Sequence, residues 1–527
     1  MKNLFFGGPI ITLSEPLYAD AMLTDGGRVL ALGSLDALRA AAPGARETDL
    51  RGRTLAPAFI DAHSHFTQMA SSLLQVSVDG ADSVEKLRAR IAGFIEETAL
   101  RPGEWITARD YDNNLFPGAR HPALGELDSL APGYRLTLQH KSGHMGLFNS
   151  AALAALGLTP DTPDPEGGAI GRKDGALTGY MEENAFFSYL KKIPMPGIDA
   201  LMGAYGRAQD IYAAQGITTM QEGMLVKEML PLYAELLRRD ILKLDLVVYP
   251  CPDCLDAARG LVAASGSRRC RVGGIKIFLD GSPQGRTAWM RSPYLGGDGG
   301  YCGYGTMTDE QVLDAFRLAA REKTQLLAHC NGDAAAAQFL RCLALAEREH
   351  PVLRTLRPVI IHGQLLGLDQ LETAARLGAT VSFFVAHVYH WGEVHIKNFG
   401  LDRASEISPA ASAKRAGLPF TFHQDAPVIQ PDMLETVWCA VNRRTAGGTT
   451  LGEGEKLSAL EALEAVTLSA ARQYGEESSK GSLAPGKLAD YILLDRDPLA
   501  VGADELREIR VLCTCKEDTP VFTASDL

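Results

Sequence analysis

The sequence predicts an α/β fold: a (β/α)8 TIM-like barrel with a small β-sandwich domain formed from both termini and a large insertion after the first barrel strand. Strand-like apolar runs alternate with segments of helical periodicity along most of the 527 residues, which is typical of repeated βα units and a parallel sheet. One helical segment, residues 309–323, begins with acidic and ends with basic residues, as the helix dipole favours. A closed barrel of this type needs eight strands, and eight apolar runs are present: residues 55–65, 216–221, 244–250, 272–280, 325–330, 357–363, 380–387 and 418–425.

The spacing of these runs indicates where the barrel is interrupted. About 150 residues separate the first run from the second, whereas later intervals are about 30 to 45 residues, close to the size of a βαβ repeat. Residues 66–215 are therefore predicted to form an insertion within a barrel domain of residues 55–480. Because loops on the catalytic face of a barrel tolerate additions, we expect this insertion to be a lid or subdomain over the barrel mouth.

The two ends of the chain differ in pattern from the barrel. Residues 1–54 and 481–527 contain short strand-like pieces broken by turns, which is typical of small antiparallel sheets. Pairing of the two ends predicts one β-sandwich domain, with the barrel as a single insertion between its halves. The sequence has no short-period repeat and no low-complexity linker, so independent domains in series are not expected.

Composition excludes several classes of protein. The chain is 46% hydrophobic, which is too apolar for disorder, and its net charge of -12 argues against binding to nucleic acid or an anionic membrane. No uncharged apolar run reaches the roughly 18 residues of a membrane span, and the N-terminus lacks a signal-peptide cleavage site. Nine scattered cysteines do not form a dense disulfide framework. We expect a cytoplasmic protein with reduced thiols and a small-molecule substrate.

Two histidines near the end of the first strand are the first candidates for chemistry. His63 and His65 alternate with Ser64, and the two-residue period of a strand places both imidazoles on one face. Two neutral imidazoles so placed can share one metal ion. A structural role, in which either ring is a hydrogen-bonded core histidine, stays open at this point.

Lys276 is the second candidate, because it lies in the middle of the apolar run 272–280. An ammonium group in a buried strand costs several kcal/mol unless it is compensated, so neutralisation is favoured. A desolvated lysine has a lowered pKa and can react with carbon dioxide, giving a carbamate whose two oxygens are able to bridge two metal ions. The alternative is an ion pair with a buried carboxylate such as Asp280 or Glu222.

Polar residues also close three later runs. His329, His362 and Asp425 end the fifth, sixth and eighth predicted strands. Because the carboxyl ends of barrel strands meet at one mouth, these residues, His63, His65 and Lys276 should converge there. The sequence therefore predicts a metal centre at the barrel mouth.

The order His-x-His, lysine, histidine, histidine, aspartate resembles that of the metal-dependent amidohydrolase superfamily, over nearly the whole chain. Finer features resemble its amidohydrolase family 3 branch, which includes N-substituted formamide deformylases; these features are residues 143–153, 280–289, 329–335, 424–428 and 481–498. Two pairs depart from the expected pattern, His423-Gln424 before the aspartate and Cys330-Asn331 after the third histidine. These departures affect the prediction of the substrate more than the prediction of the metal site.

The resemblance implies a centre of two divalent metal ions, most often zinc. His63, His65 and Asp425 would hold one ion, His329 and His362 would hold the other, and Lys276, carboxylated by carbon dioxide, would bridge them. Metal-activated hydroxide would then attack the substrate carbonyl, with Asp425 as the catalytic general base and acid. A single-metal centre with unmodified Lys276 remains the alternative.

Six further residues are candidates for substrate binding, each with a structural alternative. Gln284, Arg286 and Trp289 follow the Lys276 strand and could equally anchor a loop. His387 and His390 follow the seventh strand, and His144 lies in the insertion.

Together these features predict a metal-dependent hydrolase of C–N bonds that acts on an amide or a cyclic amide. Deamination and ester hydrolysis at the same site remain open. A non-catalytic scaffold is the alternative from another class, but it has no need of a costly buried lysine. A homodimer is left open.

Overall fold

The computed structural model describes residues 2–140, 145–194, 196–296 and 300–525. The chain divides into two compact units, one of Met1–Gln68 with Gly206–Leu527 and one of Met69–Tyr205. The smaller unit lies within the predicted insertion of residues 66–215. Its predicted role as a lid stays a prediction.

Helices follow most strands, as the alternating pattern predicts. Helix α10 is representative: the Thr308 hydroxyl accepts the Gln311 N–H, and the Gln311 side chain accepts the Thr308 N–H, so a capping box starts the helix. Among the described residues, no helix is both long and apolar enough to cross a membrane. The helices, numbered in chain order, are α1 (Leu35–Ala41), α2 (Phe66–Ser72), α3 (Val84–Thr98), α4 (Leu124–Leu130), α5 (Ser150–Ala155), α6 (Glu183–Leu190), α7 (Ile198–Ala214), α8 (Leu230–Arg238), α9 (Leu255–Ser265), α10 (Asp309–Arg321), α11 (Asp333–Glu349), α12 (Leu368–Arg376), α13 (His387–Phe399), α14 (Leu401–Ser405), α15 (Ala410–Arg415), α16 (Met433–Asn442), α17 (Ala459–Ala465) and α18 (Leu468–Gln473).

Both ends of the chain meet in one sheet of the larger unit, with strand order β23-β22-β21-β5-β1-β2-β3 and β4 beside β1. Its strands are β1 (Asn3–Ile11), β2 (Tyr18–Asp25), β3 (Arg28–Gly33), β4 (Arg46–Asp49), β5 (Thr54–Pro57), β21 (Tyr491–Leu494), β22 (Val511–Lys516) and β23 (Thr519–Thr523). Strand β5 pairs with β21 and β1 here, although the sequence placed residues 55–57 in the first barrel strand. The two-sheet packing of a sandwich stays a prediction.

All eight predicted barrel runs contain a strand, and these strands pair in parallel. They form two sheets, ordered β15-β14-β13-β6 and β16-β17-β18-β19-β20. The strands are β6 (Phe59–Ile60), β13 (Ile217–Leu225), β14 (Asp245–Pro250), β15 (Cys270–Val272), β16 (Gly274–Phe278), β17 (Gln325–Cys330), β18 (Val359–His362), β19 (Thr380–Phe383) and β20 (Phe420–Phe422). The architecture is therefore mixed α/β, as predicted.

The fourth predicted run is split at Gly273, between β15 and β16. A Cβ atom there would lie 2.6 Å from side-chain atoms of Val247 and Tyr249, so only glycine fits this approach. The fourth predicted run therefore contributes one strand to each sheet: β15 pairs with β14, and β16 pairs with β17.

Three observations link the opposite edges of these two sheets. The Asp425 N–H donates to the His63 carbonyl over 3.2 Å, and the His65 N–H donates to the Ala426 carbonyl over 2.8 Å. One hydrophobic cluster contains Ile60 and Val247 from one sheet together with residues of β17 and β18 from the other. These contacts fit a barrel, but the strand pairing itself forms two sheets, so closure stays a prediction.

The smaller unit has a sheet and a hydrophobic core of its own. Helix α3 and strands β8 and β9 contribute buried residues such as Leu87, Ile106 and Leu136 to that core. The sheet has the order β11-β12-β10-β9-β8-β7, and its strands are β7 (Val76–Ser77), β8 (Trp105–Tyr111), β9 (Arg135–His140), β10 (Met145–Phe148), β11 (Gly168–Lys173) and β12 (Ala176–Glu182).

Buried charges join the terminal sheet to the barrel strands. Lys516, at the end of β22, is 1% exposed, and its Nζ lies 2.8 Å from Asp490 Oδ2 and 3.0 Å from Asp245 Oδ2. Lys480 Nζ lies 2.6 Å from the same Asp245 oxygen. Because buried charges are costly alone, each member of this ion cluster depends on the others.

We expect Lys516→Ala to lower the free energy of unfolding by about 3–5 kcal/mol, because it leaves the Asp490 carboxylate buried without its cation. Urea unfolding of the purified protein measures this change. The control is Lys456→Ala, since Lys456 pairs with the exposed Glu453 over 2.7 Å and such pairs contribute at most about 1 kcal/mol. Equal effects of the two substitutions would contradict the prediction.

Candidate metal centre

Three predicted ligands of one ion converge in the structure. The Nε2 atoms of His63 and His65 each lie 3.5 Å from Asp425 Oδ1, and one donor atom from each residue falls within 4.8 Å of the others. His65 Nδ1 and Asp425 Oδ1 are buried and have no hydrogen-bond partner among the described residues. Unpartnered nitrogen and oxygen donors of this kind fit a divalent cation.

Lys276 lies directly beside this group. It is 1% exposed, and its Nζ lies 3.2 Å from His63 Nε2. Burial lowers the pKa of the Lys276 ammonium to about 7, although Asp425 acts in the opposite direction. The neutral amine form of Lys276 is therefore much more favoured at this buried position than it would be for a lysine in water.

Neither carboxylate considered as an ion-pair partner for Lys276 faces it. Asp280 accepts the backbone N–H groups of Trp289, Asn331 and Gly332. Glu222 Oε2 accepts the Thr67 N–H and the Tyr233 hydroxyl. The ion-pair explanation for this buried lysine therefore has no support from these contacts.

The other two predicted ligands contact each other. His362 Nε2 lies 3.1 Å from His329 Nδ1 and 3.9 Å from Asp425 Oδ2. Burial lowers the pKa of His329 to about 3 and holds that of His362 well below its usual value. Both rings are thus neutral near pH 7, which is the form that binds metal.

The backbone turns sharply at two of these strand ends. His362 and Asp425 have φ angles of 72° and 55°, in the left-handed region that non-glycine residues seldom occupy. Such conformations cost of the order of 1–3 kcal/mol each and persist where the surrounding structure enforces them. The strained residues are two of the predicted metal ligands, which is where functional strain is commonly found.

Gln221 sets the orientation of His63 and was not predicted from the sequence. Its Oε1 lies 2.6 Å from His63 Nδ1, while its Nε2 donates to the Ala62 carbonyl and to the Tyr474 hydroxyl oxygen. Because Oε1 can only accept, Nδ1 carries the proton and Nε2 keeps its lone pair. The signal was present, because Gln221 is the polar residue that ends the second predicted run, residues 216–221.

His423 is a second residue that the sequence did not assign. Its Nε2 lies 3.1 Å from His362 Nδ1, and its Nδ1 lies 2.8 Å from Ser382 Oγ. Burial holds the pKa of His423 well below its usual value. The signal was present, because His423 precedes Asp425 by two residues and departs from the expected family pattern.

The residues predicted to bind substrate are placed less directly. His144 lies outside the described residues. Arg286 Nε donates to Asn398 Oδ1 over 2.9 Å, the contact expected of a loop anchor. Gln284 Oε1 is buried without a hydrogen-bond partner among the described residues, and Trp289 is half-buried. Substrate contact stays a prediction for all of them.

The predicted histidines after the seventh strand make protein contacts. His387 Nδ1 lies 3.3 Å from His395 Nε2, and His390 Nε2 lies 2.9 Å from Glu435 Oε1. The Phe384 ring lies 4.5 Å from the ring of His387. These contacts are the ones expected if His387 and His390 have a structural role. Their role in substrate binding stays a prediction.

Relatives of known sequence match nearly the whole chain. The chain is 28% identical over 521 residues to N-substituted formamide deformylase of Arthrobacter pascens, covering 94% of this chain and 93% of the relative. It is 27% identical over 542 residues to the putative amidohydrolase YtcJ of Bacillus subtilis (strain 168), covering all of both chains.

Solved structures have the same fold. An uncharacterised metal-dependent hydrolase from Pyrococcus furiosus superposes with a TM-score of 0.76 at 25% identity, covering 95% of this chain and 100% of that one. Its counterpart from Pyrococcus horikoshii OT3 gives a TM-score of 0.78 at 24% identity, covering 96% and 99%.

Family models agree with these matches. An imidazolonepropionase-like composite domain of bacteria matches residues 21–45. The amidohydrolase family matches residues 46–522, about nine-tenths of the chain. The chain therefore belongs to the amidohydrolase family, and the predicted class of enzyme, a metal-dependent hydrolase of C–N bonds, is confirmed.

Proposed function

We propose that this protein hydrolyses an amide or cyclic amide bond of a small organic molecule at the cluster of His63, His65, Lys276, His329, His362 and Asp425. The observation that carries the proposal is the convergence of the His63 and His65 imidazoles on a buried Asp425 oxygen that has no hydrogen-bond partner among the described residues. The similarity to a relative named N-substituted formamide deformylase supports an amide substrate.

The donor set fits two divalent ions, and we propose zinc. His63, His65 and Asp425 would hold one ion, while His329 and His362 would hold the other. Nitrogen and oxygen donors of this kind suit zinc. A bound ion supplies Lewis acidity, which polarises a carbonyl and makes water nucleophilic near neutral pH.

Lys276 is proposed to bridge the two groups of ligands as a carbamate. Its Nζ faces His63 Nε2 and has no carboxylate in salt-bridge contact among the described residues. In forming the carbamate, the neutral amine attacks carbon dioxide, a C–N bond forms and one proton leaves the nitrogen. The resulting carbamate would place anionic oxygen donors at the position where a protonated Lys276 would be a buried cation.

Asp425 is proposed to move the proton during hydrolysis. Its oxygens face His63, His65 and His362, so it lies where a water attacking the carbonyl would be held. The carboxylate would accept the proton of that water and then donate it to the leaving nitrogen. One residue would thereby serve as general base and general acid.

We also infer that the two sheets of parallel strands close into one (β/α)8 barrel. The split at Gly273 and the hydrogen bonds between the segments after β6 and β20 support closure. A closed barrel would bring the ends of the first, fourth, fifth, sixth and eighth strands to one mouth, where catalytic groups of such folds lie.

Purified protein is expected to contain about one to two equivalents of transition metal. Chelation should abolish hydrolysis within a panel of N-formyl, N-acyl and cyclic amides, and added zinc should restore it. Elemental analysis and the release of amine measure these effects. Esters and aminopurines in the same panel test the esterase and deaminase alternatives.

A matched pair of variants tests whether the cluster holds the metal. His63→Asn should lower metal content, whereas His350→Asn, at the end of α11 and away from the cluster in sequence, should retain it. Full metal content in the His63 variant would refute the proposed ligand set. Absence of hydrolysis across the panel in fully metallated protein would instead favour the scaffold alternative.

Asp425→Asn is expected to retain much of the metal, because the amide oxygen can still act as a donor, but to lower kcat by about 100-fold or more. The physical reason is that the amide cannot accept the proton of the attacking water. Steady-state kinetics and metal analysis on the same sample measure both effects. Unchanged kcat would remove Asp425 from proton transfer.

His423→Leu is expected to weaken metal binding by about 10–100-fold, because His362 Nδ1 then loses its acceptor and its ring is no longer oriented. His423→Gln should restore much of the affinity, since its side-chain oxygen can accept the same proton. Competition with a chromophoric chelator measures the affinity. Equal losses in both variants would mean that His423 acts through packing alone.

A further inference from the structure

Two thiols lie side by side on strand β22, away from the residues of the metal centre in sequence. Cys513 and Cys515 alternate with Thr514, so their side chains share one face of the strand. Their sulfur atoms are 3.7 Å apart. Both are free cysteines, and the proposed hydrolase function uses neither.

The two thiols have different surroundings. Cys513 is half-buried, and its Sγ lies 3.8 Å from Thr523 Oγ1. Cys515 is 2% exposed and belongs to the hydrophobic cluster that includes Tyr491. A reagent in solution therefore reaches Cys513 first, and Cys515 Sγ lies 3.7 Å from the sulfur that it meets.

Cys513 also differs from other cysteines of the chain in its acidity. The hydrogen bond with Cys515 lowers the pKa of Cys513 to about 7. Burial instead raises the pKa of six others: Cys251, Cys254, Cys270, Cys330, Cys342 and Cys439. A more acidic, accessible thiol beside a second thiol is the arrangement typical of redox-sensitive cysteines.

We propose that Cys513 and Cys515 form a reversible oxidation site, at which a low-molecular-weight disulfide converts the two thiols into one intrachain disulfide. The Cys513 thiolate attacks one sulfur of the reagent, a mixed disulfide forms and one thiolate leaves. The Cys515 thiol then gives its proton to the thiolate released in the first step, and its sulfur attacks the Cys513 sulfur and displaces the second thiolate. The protein loses two electrons and two protons, and the reagent is reduced to two thiols.

The geometry of the strand makes this disulfide reversible. Residues two apart in a strand have Cα atoms separated by about 6.4–6.8 Å, at the upper end of the roughly 4.4–6.8 Å that a disulfide spans. Their parallel Cα–Cβ bonds also keep the Cβ atoms farther apart than the roughly 3.5–4.5 Å of a disulfide, so the strand must contract for the bond to form. The pairing of β22 with β23 shifts register between Thr514 and Cys515, where β23 contributes one extra residue, Val521, so the pairing beside the two cysteines is already irregular. A bond formed at this limit is strained, and strained disulfides are readily reduced.

The test uses the full-length protein incubated with glutathione disulfide, then denatured, alkylated and digested with trypsin. Residues 511–516 follow Arg510 and end at Lys516, so one tryptic peptide contains both cysteines and no other. We expect this peptide to lose two hydrogen atoms, to resist alkylation and to recover both thiols after dithiothreitol. The buried Cys439 should be alkylated in every sample, which controls for general oxidation.

Two isosteric variants separate the roles of the sulfurs. Cys515→Ser should stop at a glutathione adduct on Cys513, whereas Cys513→Ser should leave Cys515 as an unmodified thiol. Thermal unfolding of both variants checks that they remain folded. A wild-type peptide alkylated at both sulfurs after exposure, or equal uptake of glutathione by the two variants, would overturn the proposal.

Discussion

Burial of several polar side chains at the ends of parallel strands is the constraint on which the larger unit depends. It lowers the pKa of His329, His362 and Lys276 and leaves Asp425 Oδ1 without a hydrogen-bond partner among the described residues. Unsatisfied buried groups cost about 1–3 kcal/mol each. The same groups are the donors that a divalent cation requires. Their burial therefore destabilises the fold when no cation is bound, and for the same reason it favours metal binding.

A second layer of hydrogen bonds decides which ring nitrogens face the centre. Gln221 Oε1 accepts a hydrogen bond from His63 Nδ1. His362 Nδ1 contacts His423 Nε2, and His423 Nδ1 in turn contacts Ser382 Oγ. Because a neutral imidazole has one donor and one acceptor nitrogen, these contacts leave the Nε2 lone pairs available. The orientation of these two proposed ligands, His63 and His362, therefore depends on residues outside the proposed ligand set.

The buried ion cluster and the proposed metal ligands are located at opposite ends of the parallel strands. Asp245 is the first residue of β14, and it joins Lys516 and Lys480 in the buried ion cluster. His329 and His362 lie at the carboxyl ends of β17 and β18. A substitution in the ion cluster should thus change stability without touching the ligands, which is the division of labour expected of barrel folds.

The sequence by itself predicted the alternating α/β pattern, the eight runs that contain parallel strands and the six polar residues of the proposed centre, because hydrophobic periodicity and strand-end residues are local signals. It could not determine that Gly273 splits the fourth strand, that Lys276 has no carboxylate in salt-bridge contact within the described parts of the chain, or that His423 contacts His362. Those facts depend on which side chains meet across segments distant in the chain. Only the tertiary structure decided them, since packing direction and competing partners are not encoded in the spacing of residues.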